Sequence, residues 1–204
     1  LSGSATVDQP VDFSNVTWHF GDGIESKTGS SNLFRMNLAA GHTSYGSFEI
    51  NNPSGVNREV LIETNGITLP TESITITAGS FDIGSNILDD DGDGSTFTLG
   101  ANATLKLDSD FPGTNTAYTT YTLNTGSTVD YSGTATITNA QVPDGTAFEN
   151  LTVSGTGTKT LNGSSIVNNT ATLTAGTLAA GTNLTMGSGS TISRSAGVIT
   201  GTIQ

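Results

Sequence analysis

Thr77-Ala78-Gly79-Ser80-Phe81-Asp82-Ile83-Gly84-Ser85-Asn86-Ile87 returns 97 positions later, without a gap, as Thr174-Ala175-Gly176-Thr177-Leu178-Ala179-Ala180-Gly181-Thr182-Asn183-Leu184. The two copies agree in residue or in class at nine of eleven positions. Self-similarity of this kind is the mark of a repeat architecture. A second phrase runs apolar, three small or polar, small, Thr, apolar. It occupies residues 99–105, 123–129 and 186–192, at spacings of 24 and 63, the latter divisible as three steps of 21. Val153 to Leu173 and Leu178 to Val198 each span 20.

A period of 20–24 residues matches one coil of a three-strand parallel β-helix, whose coils stack at the strand spacing of about 4.8 Å. The expected fold is therefore all-β, a β-solenoid, with an antiparallel β-sandwich of repeated hairpins as the alternative. Strand signals fall at 59–63, 73–77, 96–99, 104–107, 120–123, 134–138 and 151–153, most of them bounded by Gly, Asn, Asp or Ser. Residues 33–40 are the one stretch with helix-friendly composition. Ile74, Ile76, Phe97, Leu99, Leu151, Val153, Leu173, Leu178, Leu184 and Met186 recur at strand positions and are expected to point inward. Residues 57–204 are read as the solenoid repeats. Residues 1–56 fit the period poorly and are read as a divergent N-terminal cap or irregular first coils.

Composition agrees. Only 33% of residues are hydrophobic, too few for a thick globular core, yet only 12% are charged, too few for a typical disordered chain. One inward group for every two residues of a narrow strand needs no more. Net charge is −12, and the six Lys and Arg are scattered singly, so no basic patch is available for nucleic acid or for anionic membranes. No apolar run approaches a membrane span, so direct membrane insertion is not expected. The absence of cysteine removes disulfide and thiolate chemistry. A chain that opens on Leu1 without a signal-peptide pattern reads as a processed mature protein or an excised piece.

Phe148-Glu149-Asn150-Leu151-Thr152-Val153-Ser154-Gly155-Thr156-Gly157-Thr158-Lys159-Thr160-Leu161 and Thr174-Ala175-Gly176-Thr177-Leu178 resemble the repeats of large surface adhesins secreted by Bacteroidetes-type bacteria, and are similar to those of autotransporter passengers. The resemblance covers roughly residues 70–204. It implies a right-handed β-helical stalk or adhesive surface, secreted or at the cell surface, and carries no catalytic residue across. Trp18-His19-Phe20-Gly21-Asp22-Gly23 also resembles the motif of PKD-type β-sandwich modules, without that family's later strand pattern.

The expected function is that of a non-enzymatic extracellular structural or adhesive module, assembling end to end or continuing into further repeats. The alternative is a polysaccharide-binding or polysaccharide-cleaving β-helix, with cell-surface or matrix polysaccharide as partner. Asp89-Asp90-Asp91-Gly92-Asp93-Gly94 places Asp89, Asp91 and Asp93 at alternate positions, like the opening of an EF-hand calcium loop. Calcium is thus the candidate cofactor. The acid expected at the twelfth position of such a loop is replaced by Gly100. Asp108 and Asp110 after Lys106, and Glu59 and Glu63 beside Arg58, read as strand-edge ion pairs. Tyr118, Tyr121, Tyr131 and Phe148 could stack on sugars or pack in the core. His19 and His42 have no nucleophile motif beside them, and no catalytic residue is assigned. The Thr-x-Thr runs at 134–138, 156–160 and 170–174 start 22 and then 14 residues apart, so they do not keep one face in register.

Overall fold

A computed structural model describes residues 15–20, 33–51, 59–90, 94–112, 118–143 and 146–204. Among them are eighteen strands and no helix, and every strand pairing is parallel. The chain winds into a β-solenoid of about seven coils. An antiparallel sandwich is thereby excluded.

Alternation inside each strand explains the winding. In Thr104–Leu107 the residues Leu105 and Leu107 are buried, while Thr104 and Lys106 reach outward. Each short strand supplies one or two inward groups and depends on the strands above and below for the rest of its burial. A long column runs Val60, Phe81, Leu105, Val129, Leu151, Ala171, Ile192, one residue per coil, buried throughout except at Ile192. Two further columns, Phe48–Ile74–Phe97–Tyr121 and Ile50–Ile76–Leu99–Leu123, line another side. Nine of the ten residues expected inward are at most 1% exposed, and Met186 is partly buried against the core.

The expected period holds over much of the chain. From Ser80 the steps are 24 to Thr104, 24 to Thr128 and 22 to Asn150; Leu151 to Ala171 is 20 and Thr170 to Thr191 is 21. Earlier coils are less regular, with 30 residues from Thr17 to Ser47 and 26 from Leu33 to Glu59.

The two repeats turn out to be different objects. Leu99 and Leu105 sit directly below Leu123 and Val129, and Ile192 lies three rungs further along the column of Val129. The first two copies of that phrase mark the same corner of successive coils, and the third ends in the same column three coils later. The eleven-residue match keeps no common column: Phe81 belongs to the column of Leu105, whereas Leu178 belongs to the column of Lys159 and Ile199. What the copies share is a pair of left-handed glycines five residues apart (Gly79 and Gly84, Gly176 and Gly181), which flank the strand Ser80–Asp82 in the first copy, whereas in the second Gly181 lies inside the strand Thr177–Met186. At Gly176 the glycine is needed twice over. Its φ is 59°, and a Cβ there would stand 2.5 Å from the Gly155 carbonyl oxygen and 2.7 Å from that of Gly157.

Two sequence expectations are corrected. Residues 33–36 form a strand, Leu33–Met36, because pairing with Glu59–Ile62 outweighs their weak helical preference. Residues 134–138 hold only an isolated bridge at Ile137. Ile137 exchanges backbone bonds with Thr158 and Thr160, but at Ala135 side chains take the place of a rung: its N–H donates to Asp108 and its carbonyl accepts from Lys159. Within the stretch read as cap or irregular first coils, Thr17–Phe20 pairs with Ser47–Asn51, and Leu33–Met36 with Glu59–Ile62.

The chain has no cysteine, so the register can be tested directly. Cysteines at Thr104 and Thr128, neighbours in adjacent coils, lie about 4.8 Å apart at Cα, within disulfide reach. Mild oxidation is expected to cross-link that pair and to leave a Thr104/Asn150 pair, two rungs apart, unlinked. Non-reducing electrophoresis reads the difference.

Candidate functional site

Asp89 lies on the strand Ile87–Asp90, which pairs with Thr68–Thr71. Neighbouring residues of a strand face opposite ways. Asp90 shares the side of buried Leu88, and its carboxylate accepts from the Ser95 hydroxyl at 2.8 Å, while Asp89 is turned to the other side. Asp91 and Asp93 lie outside the described residues. Among the described residues, no three or more His, Asp or Glu side chains gather to hold a metal ion.

A charged column stands on the outer side of the Phe81–Leu105–Val129 wall. Asp82, Lys106 and Asp130 occupy one register position in three successive coils. The Lys106 ammonium pairs with Glu59, two coils back. Asp82 accepts from Gly84 N–H at 2.9 Å, and Asp130 accepts from the Ser154 hydroxyl at 2.7 and 2.9 Å. Both carboxyls titrate above the ordinary aspartate range. Burial is the main cause in each, opposed at Asp82 by Gly84 N–H and Lys106, and at Asp130 by Ser154 and Lys106.

A carboxyl whose pKa is raised by folding stabilises the fold at pH below its unfolded value. That contribution is lost as pH rises through the folded value. Asp82→Asn keeps the bond to Gly84 N–H and removes the half-buried charge. It is therefore expected to melt above the wild type at neutral pH, the gap closing near about pH 3, where both are uncharged. Thermal melts at the two pH values check this, and a variant that melts lower at neutral pH would show that the Lys106 attraction outweighs burial.

The second polar cluster is internal. Lys159 stands in a column between Ile137 and Leu178 and is fully buried. Its ammonium donates to the carbonyls of Gly133 (3.1 Å) and Ala135, with Asp108 Oδ1 at 3.7 Å. Burial lowers its pKa and Asp108 opposes that shift. The lysine satisfies carbonyls that would otherwise lack a donor at the irregular corner, which gives it a structural role.

The aromatic residues that could have met sugars are mostly inside. Tyr118, Tyr131 and Phe148 are at most 2% exposed, and Tyr121 is partly buried. Tyr131 donates its hydroxyl to the Ala140 carbonyl at 2.9 Å, and Tyr118 bonds Thr71. Burial raises all three tyrosines, Tyr121 to about 12. His19 pairs with Glu49 at 2.9 Å on the surface, and His42 meets the edge of Tyr45. An in-register hydroxyl column does exist, at Thr75, Thr98 and Thr122, although the Thr-x-Thr runs noted in the sequence lie elsewhere.

The charged column was hidden because its members are distant in sequence. Reading Lys106 with Asp108 and Asp110 pairs the wrong groups. Lys106 turns to Glu59, Asp108 turns to Lys159, and Asp110 accepts from Asn139. The available signal was the period itself, since Asp82, Lys106 and Asp130 are spaced by 24 and 24. Arg58 lies outside the described residues, and Glu63 pairs with Arg35. No protein-family model, curated protein or solved structure matches this chain.

Proposed function

We propose that this chain is a non-enzymatic extracellular module of a bacterial surface protein, a stiff structural or adhesive element displayed outside the cell. The observation that carries this reading is how the residue types divide between core and surface. Phe, Tyr, Leu and Ile fill continuous inward columns, and the outward columns present Ser, Thr, Asn and Asp at the rung spacing. A surface of that kind suits solvation and multivalent polar contact with matrix polysaccharide. It also fits the adhesin-like phrases at 148–161 and 174–178.

A polysaccharide-cleaving β-helix is the second reading, favoured by the column of Asp82, Lys106 and Asp130. Two coils separate the carboxyl-bearing residues, about 9.6 Å along the axis. That is near the upper end of the spacing of an inverting acid–base pair. Incubation with acidic and neutral matrix polysaccharides separates the readings. The structural reading expects retention on the polymer without new reducing ends; reducing ends that vanish in Asp130→Asn would establish cleavage.

Calcium at Asp89, Asp91 and Asp93 belongs to the same proposal, as an ion stiffening one edge of the coil. Millimolar calcium is expected to raise the melting temperature by linkage, and Asp91→Ala to abolish the gain. No calorimetric binding at that concentration would reduce the segment to an acidic turn.

A further inference from the structure

Of the two lysines among the described residues, Lys106 keeps its side chain 31% exposed, whereas that of Lys159 is 0% exposed. The carboxylate beside Lys159 comes from Asp108, 51 residues earlier in the chain, with Oδ1 3.7 Å from the lysine nitrogen. A buried amine next to a carboxyl is a pair of reactants as well as an ion pair.

The corner holds the two groups in place. Gly133 leaves the room for them: a Cβ there would stand 1.8 Å from Asp108 Cγ, so a side chain at 133 would push the carboxyl away. The carbonyls of Gly133 and Ala135 accept from the lysine and fix its nitrogen. Ala135 N–H donates to Asp108 Oδ1 at 2.8 Å. That backbone donor is already aimed at an oxygen that gains negative charge when the carboxyl carbon is attacked.

We infer that Lys159 and Asp108 condense to an amide, a covalent cross-link between coils that the folded chain makes by itself. The step balances without a co-reactant. The ammonium passes one proton to carboxylate Oδ2, leaving a neutral amine and a neutral acid. The lone pair of Lys159 Nζ forms the new bond to Asp108 Cγ, and the negative charge falls on Oδ1, facing Ala135 N–H. Oδ2 then leaves as water, carrying the proton it received and one more shed by the nitrogen. Burial works in the same direction. It lowers the Lys159 pKa, which raises the share of neutral amine, the nucleophilic form. Fixed proximity removes most of the entropic barrier between the two groups. Asp108 is 22% exposed, which gives the released water a way out. Lys106 and Glu59 also meet, but at partly exposed positions, and stay an ion pair.

Mass spectrometry of the 204-residue chain tests this. The purified protein is expected to be lighter than its sequence by one water. Proteolysis after Lys, Arg and Glu should leave residues 107–149 joined to residues 150–194, with no cut after Lys159. Lys159→Arg keeps donors for the two carbonyls and supplies no reactive amine, and Asp108→Ala removes the carboxyl. Both variants should show the full sequence mass. Wild type at full sequence mass after prolonged incubation in the folded state overturns the inference, and because that reading is made on the wild type, a variant that fails to fold leaves the test intact. A lost water together with normal cutting after Lys159 also overturns it, since that result places a cyclic imide at an Asp-Gly pair such as Asp91-Gly92. So does a cross-link found between Lys106 and Glu59 instead.

Discussion

Leu151→Asp is expected to abolish the single cooperative melt of the chain. Leu151 is 1% exposed, between Val129 and Ala171 in the longest inward column, both fully buried. An aspartate there has no water and no partner, and an unpaired buried charge costs several kcal/mol. Against a typical total of about 5–15 kcal/mol that is a large fraction. The position matters as much as the size. Each coil of a solenoid is stabilised by its neighbours, so breaking one rung should uncouple the coils before it from those after it. Calorimetry should then show two weaker transitions or none. Thr172→Asp, on the outward side of the next rung between Thr152 and Ser193, should stay within about 0.5 kcal/mol of the wild type. Equal effects at the two positions would mean that the strand faces are misassigned.

Phe97→Ala should cost about 3–5 kcal/mol, the range for emptying a buried aromatic site. The ring of Phe97 is fully buried and lies 5.8 Å from Phe111, 5.8 Å from Tyr118 and 6.1 Å from Tyr121. Phe111 in turn meets Phe148 edge-on at 6.2 Å. The cluster joins strands of successive coils to residues 111 and 118, where the coil departs from regular rungs. Its neighbours are anchored elsewhere, Tyr118 through Thr71, so they cannot close fully over the gap. Urea denaturation should show a lower midpoint at unchanged slope. Thr98→Ala, one residue away and facing out, should be near neutral.

What was legible in the sequence is what depends on neighbours one coil apart. Leu99 over Leu123 and Leu105 over Val129 announce the coil, since identical columns need like residues at each step. The inward set follows from alternation within four-residue strands. What was not legible is whatever a corner decides. Lys159 sits at an inward position where alternation calls for an apolar group, and its partners Gly133, Ala135 and Asp108 come from two earlier coils. Residues 134–138 read as a strand because Thr and Ile alternate there, but only Ile137 bridges to the next rung, and the backbone of Ala135 is met by the side chains of Asp108 and Lys159. The charged column of Asp82, Lys106 and Asp130 needed the coil period applied to charges as well as to apolar residues. Of the three proposed calcium ligands only Asp89 lies among the described residues, so the calcium proposal rests on the spacing of Asp89, Asp91 and Asp93.

We propose above that the chain acts as a passive extracellular element without turnover. The most direct measurement displays the chain on a non-adherent bacterium and follows cells on matrix polysaccharide under shear, while assaying the effluent for released oligosaccharide. The account predicts increased retention, no released sugar, and loss of retention in the unfolded Leu151→Asp variant. Retention no better than that of bare cells, or sugar released in proportion to displayed protein, would contradict it.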